Sequence, residues 1–184
     1  MNLEKIKSLL LKVLIKINPC FLTRPMIKFI ANQNKKDLIG VEIGVDKGLN
    51  ALTILKTLHI KKLYLIDIYK PFTVDGITHD NTNAYKIAKE NLAKYKDKIE
   101  FVIKKSEESI TEIPNELDFV YVDGDHSYEG AKKDIELYYP KVKEGGIIGG
   151  DDFSIYFPGV ARAVTEFCKD KKLYGDKTDW WIVK

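Results

Sequence analysis

Five times along this 184-residue chain, a short apolar run gives way to a stretch of helical period. The runs cover Leu38 to Val45, Lys62 to Ile68, Ile99 to Ile103, the strand of Asp118 to Val122, and Ile147-Ile148 behind Gly145-Gly146. Short runs rich in Val, Ile and aromatics read as strands buried on both faces. Strands separated by helices pair in parallel, with helices on both faces of the sheet and right-handed crossovers. The helices are read at Asn50 to Leu58, Thr82 to Tyr95, Ser127 to Val142 and Pro158 to Cys168, with a short helix or turn at Ser106 to Ile110. Ser127 is placed to cap its helix, and Gly145-Gly146 to stop it. Leu173-Tyr174 and Trp180 to Val183 flank Gly175-Asp176-Lys177-Thr178, a hairpin pattern that adds an antiparallel strand. Between the Lys62 to Ile68 run and the Thr82 helix lies an irregular stretch, Tyr69 to Asn81, of a length that is usually functional or mobile.

The length permits one domain with a real core and not two. Residues 1–184 therefore read as a single domain, with a helical extension over 1–36 and the core over 37–184. In the extension, Leu3, Ile6, Leu10, Val13 and Ile17 recur at helical spacing, and Lys5, Lys7, Lys12 and Lys16 occupy the other face. Asn18-Pro19 ends that helix, and a second is predicted over Arg24 to Asn32. Two roles stay open for residues 1–20: packing on the core or on a second copy as a homodimer, or lying on an anionic membrane surface. No small-residue cleavage site follows, so no signal peptide is expected, and no uncharged run is long enough to span a bilayer. Cys20 and Cys168 follow no metal spacing and read as reduced thiols of a cytoplasmic protein. Net charge is +3, with arginine only at 24 and 162. That scarcity argues against a nucleic-acid partner, whose phosphates favour arginine's planar fork.

Chemistry concentrates where two of the strands stop. Asp118-Phe119-Val120-Tyr121-Val122 ends in Asp123-Gly124-Asp125-His126, and Ile147-Ile148-Gly149-Gly150 ends in Asp151-Asp152. Ligands in parallel sheets bind outside the carboxyl ends of the strands. Asp123, Asp151 and Asp152 would repel one another if left unpaired, and a hard divalent cation such as Mg²⁺ relieves that repulsion. So held, the cation can bind an acceptor hydroxyl and lower its pKa. His126, three residues after Asp123, titrates near neutrality and is placed to take the hydroxyl's proton. Any one of these acids alone reads better as a solvated cap; the set reads as a site. Asp125 could orient His126, His59 reads as structural, and His79 lies in the long loop.

A glycine turn sits beside this edge. Glu42-x-Gly44-x-x-x-Gly48 joins the first strand to the first core helix. A dinucleotide fingerprint would need a second glycine at position 46, to admit a pyrophosphate. Asp46 stands there and would repel phosphate. S-Adenosylmethionine carries no phosphate and avoids the conflict, with Gly44 letting the backbone approach its methionyl part. Asp67 ends the next strand, where an acid accepts hydrogen bonds from ribose hydroxyls. Ser106-Glu107 follows the third strand, within reach of an adenine edge.

On these residues the chain resembles the class I S-adenosylmethionine-dependent methyltransferases. More narrowly, it resembles the metal-dependent O-methyltransferases related to those that act on macrolide sugars. The resemblance rests on VEIGVDKG (41–48), LYLIDIY (63–69), the stretch 118–152, PGVARAVTEF (158–167) and WWIVK (180–184). It implies an α/β, Rossmann-like three-layer sandwich, whose mainly parallel seven-stranded sheet carries an antiparallel C-terminal strand. It also implies metal ligation by Asp123, Asp151 and Asp152, a base at His126, and cofactor contacts at Glu42, Gly44 and Asp67. Gly48, Ser106, Glu107 and Asp123 complete the expected cofactor-binding set. The expected reaction is direct methyl transfer to a hydroxyl of a small molecule or sugar precursor, with catechol-like aromatics as second choice. The rivals are a nicotinamide oxidoreductase, against which Asp46 argues, and a non-catalytic membrane-surface module, against which the acidic edge argues.

Overall fold

Seven strands form one sheet in the order β5-β2-β1-β6-β7-β9-β8. The computed structural model describes residues 23–74, 77–79 and 81–184, the side chains of 72–74 and 77–79 excepted. The helix predicted over residues 3–17 lies outside them. In chain order the elements are α1 (Pro25–Ala31), β1 (Leu38–Ile43), α2 (Leu49–Thr57), β2 (Ile60–Ile66), β3 (Phe72–Val74), β4 (Ile77–His79), α3 (Ala84–Leu92), β5 (Ile99–Val102) and α4 (Ser106–Ser109). There follow β6 (Leu117–Val122), α5 (Tyr128–Tyr138), β7 (Val142–Gly150), α6 (Pro158–Phe167), β8 (Tyr174–Asp176) and β9 (Asp179–Val183).

The chain runs outward from β1 through β2 to β5, then crosses back over β1 to begin β6. All these pairings, and that of β6 with β7, are parallel, whereas β9 runs antiparallel to both β7 and β8. The reversal of direction falls between β1 and β6. The connections leaving those two strands go to opposite faces, and a crevice opens at their carboxyl ends.

Buried side chains cover both faces of the sheet. Met26, Ile27, Ile54, Leu65 and Phe119 pack on the side of α1 and α2. Val41, Ile43, Val120, Ile135, Val164 and Trp180 pack on the side of α5 and α6. Each fully buried side chain of this size contributes about 1.5–3 kcal/mol of transfer free energy, so the frame that holds the carboxyl edge is rigid relative to its loops.

Three boundaries differ from the sequence reading. The helix expected to reach Val142 stops at Tyr138 and tightens into a 3₁₀ turn over Tyr139–Lys141. Pro140 accounts for this, since it offers no N–H to continue the α-helical ladder. The glycines 145 and 146 do not precede β7 but lie inside it, where the register against β6 slips between Leu117 and Phe119 and Gly145 takes φ +70°. The stretch 69–81 holds an antiparallel β3–β4 pair. Asp75-Gly76 between β-branched residues is a hairpin signal that the reading as a loop passed over.

Candidate active site at the carboxyl edge of the sheet

The end of β1 is wedged between its two neighbours. The Gly44 N–H donates to the Ile66 carbonyl at 2.9 Å, and the Asp123 N–H donates to the Ile43 carbonyl at 2.8 Å. Gly44 takes φ +83°, and a Cβ there would lie 1.8 Å from the Asp123 carbonyl oxygen. Glycine is therefore required twice over, by the dihedral and by the contact. The turn then folds onto Asp67. One carboxylate oxygen accepts from the Val45 and Asp46 N–H groups at 2.9 Å each, and the other accepts from the Tyr69 N–H at 2.8 Å. Asp67, expected to face a ribose, thus also builds the turn; a carboxylate has lone pairs for both tasks. Gly48 takes φ +71° and starts α2.

Beneath the turn, Glu42 is 1% exposed. Its Oε1 accepts from Asn50 Nδ2 at 3.0 Å, while Oε2 is buried with no partner. Burial pushes its pKa well above the carboxylate range, and the charges of Asp123 and Asp67 add to the effect. A buried acid with one oxygen unmet, beside a turn that opens on a glycine, fits a ligand that brings a cationic or donor group.

On the other side of the crevice, the structure brings Asp123, His126 and Asp152 together. One ligand atom from each lies within 4.8 Å of the others. His126 Nε2 stands 3.2 Å from Asp152 Oδ2 and 3.6 Å from Asp123 Oδ1. The Asp123 carboxylate raises the imidazole's pKa most, and the charge of Asp152 adds to it against the effect of burial. Burial, more than the nearby acids Asp151 and Asp123, pushes Asp152 up to about 6. The Phe157 ring stands edge-on to the imidazole, with centroids 5.0 Å apart.

Asp151 does not join that cluster. Its Oδ2 pairs with Arg24, which also lies 3.6 Å from Asp179 Oδ1. Asp179 in turn accepts from the Tyr121 hydroxyl and the Met26 N–H, each at 3.0 Å. Successive side chains at a strand end leave the backbone in different directions, so adjacent acids need not share a task. The remaining oxygen, Asp151 Oδ1, is buried without a partner, and the residue lines the same pocket as Asp123, His126 and Asp152. Two carboxylates and an imidazole, with an unmet buried oxygen beside them, are a donor set that fits a divalent cation.

The sequence reading missed Arg24, Asp179 and Asp134. Arg24 had a signal, since it is one of two arginines among 30 basic residues; a fork that serves two acids needs arginine rather than lysine. Asp134 had one too. It falls on the apolar stripe of α5 with Ala131, Ile135 and Tyr138, and is 3% exposed.

Ser106 opens α4, and its hydroxyl donates to Asp134. Glu107 pairs with Lys133 Nζ at 3.3 Å. Burial is the chief reason that Asp134 is pushed up to about 6 from the ordinary 3.8; Glu107 and Asp125 add to it, and the Ser106 hydrogen bond and Lys133 oppose it. A folded-state pKa above the unfolded value means that the folded protein holds the proton more tightly. This contribution to stability is full below about pH 4 and is lost as pH rises through about 6. Two units correspond to about 3 kcal/mol. Asp134→Asn removes the titration. In urea unfolding, its stability relative to the parent should rise by up to about 3 kcal/mol between pH 4 and 7.5. Parallel stability curves would contradict the assignment.

Comparison with known proteins agrees with this architecture. A family model described as "Methyltransferase domain" matches residues 41–153, a span running from the glycine turn through both acidic strand ends. An uncharacterized protein, R132, of Acanthamoeba polyphaga mimivirus is 32% identical over 145 residues. That alignment takes in 74% of this chain but only 62% of the viral protein's length. Among solved structures, an O-methyltransferase from Bacillus cereus in complex with SAH superposes with TM-score 0.64 at 15% identity, covering 95% of this chain and 90% of that one. The O-methyltransferase NovP superposes with TM-score 0.62 at 20% identity, covering 86% and 76%. At these identities the structural likeness establishes the fold. With the family match spanning more than half of its residues, the chain belongs to the methyltransferase-domain family.

Proposed function

We propose that the protein transfers a methyl group from S-adenosylmethionine to a hydroxyl of a small molecule or sugar precursor, with a divalent cation at the acidic edge. One observation carries this reading: Asp123 belongs to both halves of the crevice. Its carbonyl abuts Gly44 of the donor turn, and its carboxylate faces His126. The donor supplies an electrophilic methyl on a sulfonium. A cation held by Asp123 and Asp152, with the free oxygen of Asp151 in reach, would supply Lewis acidity that lowers the pKa of a bound hydroxyl.

The chain's own residues do the rest. Glu42 Oε2 and the Gly44 backbone seat the methionyl end, and Asp67 the ribose. Ser106 and Glu107 border the adenine. Neutral His126 takes the hydroxyl's proton at Nε2, and the carboxylates of Asp123 and Asp152 stabilise the imidazolium that forms. Much of the rate comes from holding oxygen, carbon and sulfur in line. Ile155 and Tyr156, 87% and 82% exposed, lie in the segment between Asp152 and Phe157, whose ring abuts His126. They give the acceptor an apolar wall.

Two measurements test the reading together. In a thermal-shift panel, SAH should raise the melting temperature by several degrees and NAD should not. In a labelled-methyl assay over nucleotide sugars, glycosides and catechols, prior chelation should suppress incorporation. Stabilisation by NAD alone would favour an oxidoreductase. Full incorporation after chelation would remove the metal from the mechanism.

A further inference from the structure

Helix α5 holds Ser106 at two points. The Ser106 hydroxyl donates to Asp134 Oδ1, and its carbonyl accepts from the Tyr138 hydroxyl at 2.8 Å. Among the described residues, the other partner in range of the Ser106 hydroxyl is Glu107 Oε2 at 3.4 Å, again a carboxylate oxygen. A serine hydroxyl has one proton and two lone pairs. Ionised carboxylates cannot donate, so the proton goes to an acid in either case. Only lone pairs remain for a third partner, and Ser106 is partly exposed to receive one. Asp134 also reaches the other side of the crevice. Its Oδ2 lies 3.2 Å from where a Cβ on Gly124 would sit, so it stands between the connection after β5 and the connection after β6. An acid buried to 3% exposure destabilises the fold when ionised, which asks for a task that an amide would not perform.

We propose that Asp134 is a positioning residue that fixes the Ser106 hydroxyl as a hydrogen-bond acceptor, so that the site selects a 6-amino purine over a 6-oxo purine. This rests on the reading of Ser106 as an adenine-facing residue. The exocyclic amine of adenine donates to such an oxygen. The O6 of hypoxanthine can only accept, and two lone-pair oxygens facing each other leave both unpaired. Asparagine at position 134 loosens the constraint because its amide can donate to Ser106 Oγ, leaving the serine proton only the long contact to Glu107 and free to turn toward the ligand.

The experiment is calorimetric titration of the full-length protein at about pH 8, where Asp134 is ionised, with SAH and with S-inosylhomocysteine, its 6-oxo counterpart. The parent should prefer SAH by at least about thirtyfold. Asp134→Asn and Ser106→Ala should each cut that preference to about threefold or less, and the double variant should cut it no further. Ser106→Ala removes the hydroxyl directly and keeps the test open should Asp134→Asn fold poorly. Equal affinity of the parent for both ligands would overturn the inference. So would an Asp134→Asn protein that loses both ligands in proportion, because a merely structural residue does that. If the parent binds neither ligand, the donor reading itself fails and the inference goes with it.

Discussion

Asp152→Ala should lower turnover by about a thousandfold or more while leaving SAH affinity within about threefold. The two readouts separate because the two halves of the crevice have different owners. Glu42, the Gly44 turn and Asp67 stand on the β1 and β2 side. Asp152 leaves β7 in the left-handed region, at φ +64°, and faces His126. Removing its carboxylate takes away one of the two acids that flank the imidazole. A cation site reduced from two facing carboxylates to one loses most of its affinity, and the Lewis acidity it supplies is worth several kcal/mol, which is about a thousandfold in rate. Direct titration with Mn²⁺, followed by electron paramagnetic resonance, should show loss of binding in Asp152→Ala and retention in Asp125→Ala. An Asp152→Ala enzyme with parental turnover would dismiss the acidic edge as chemistry. One with parental Mn²⁺ affinity and no turnover would move Asp152 from metal ligand to partner of His126.

The frame was legible in the sequence because parallel strands buried on both faces leave continuous apolar runs, and the runs ending at Ile43, Ile66 and Val122 were found within two or three residues. The convergence of Asp123 and Asp152 was legible for the same reason: strand ends in a parallel sheet share one edge. The division of labour between Asp151 and Asp152 was not. It depends on Arg24, 127 residues away in sequence, arriving from α1 to take one of two adjacent acids. A pairing of that range leaves no periodic trace. Asp134 was hidden differently, within a helix whose amphipathic pattern absorbs one polar residue without losing its stripe. The β7 bulge was misplaced because Gly145-Gly146 reads equally as a helix stop or as a break inside a strand, and only the register against β6 decides.

Gly44→Ala should be the most damaging single methyl group that can be added to this chain's glycine turns. Among the described residues, three glycines take positive φ, at +83° for Gly44, +71° for Gly48 and +70° for Gly145, so alanine pays a backbone penalty of about 1–2 kcal/mol at each. What differs is the surroundings. At Gly145 the new Cβ meets nothing within 4 Å, and at Gly48 it meets Leu92 Cδ1 at 3.0 Å, the far end of a flexible side chain. At Gly44 it meets the backbone carbonyl of Asp123 at 1.8 Å, with the Asp123 carbon at 2.4 Å behind it. That carbonyl follows directly on β6, which is paired in register with β1, and the Asp123 N–H is bonded to the Ile43 carbonyl, so it cannot yield without parting Ile43 from Val122. Strain and separation together should cost about 3–5 kcal/mol, against about 1–2 kcal/mol at Gly48 and Gly145. The effect on function should follow the same order. Parting β1 from β6 moves Glu42 and Asp123 relative to each other, so SAH affinity should fall at least about a hundredfold in Gly44→Ala and stay near parental in Gly145→Ala. Urea unfolding and SAH titration of the three variants test this ranking. A Gly44→Ala protein as stable as Gly145→Ala, binding SAH as the parent does, would mean that the turn is no donor cradle and that the crevice between β1 and β6 serves some other ligand.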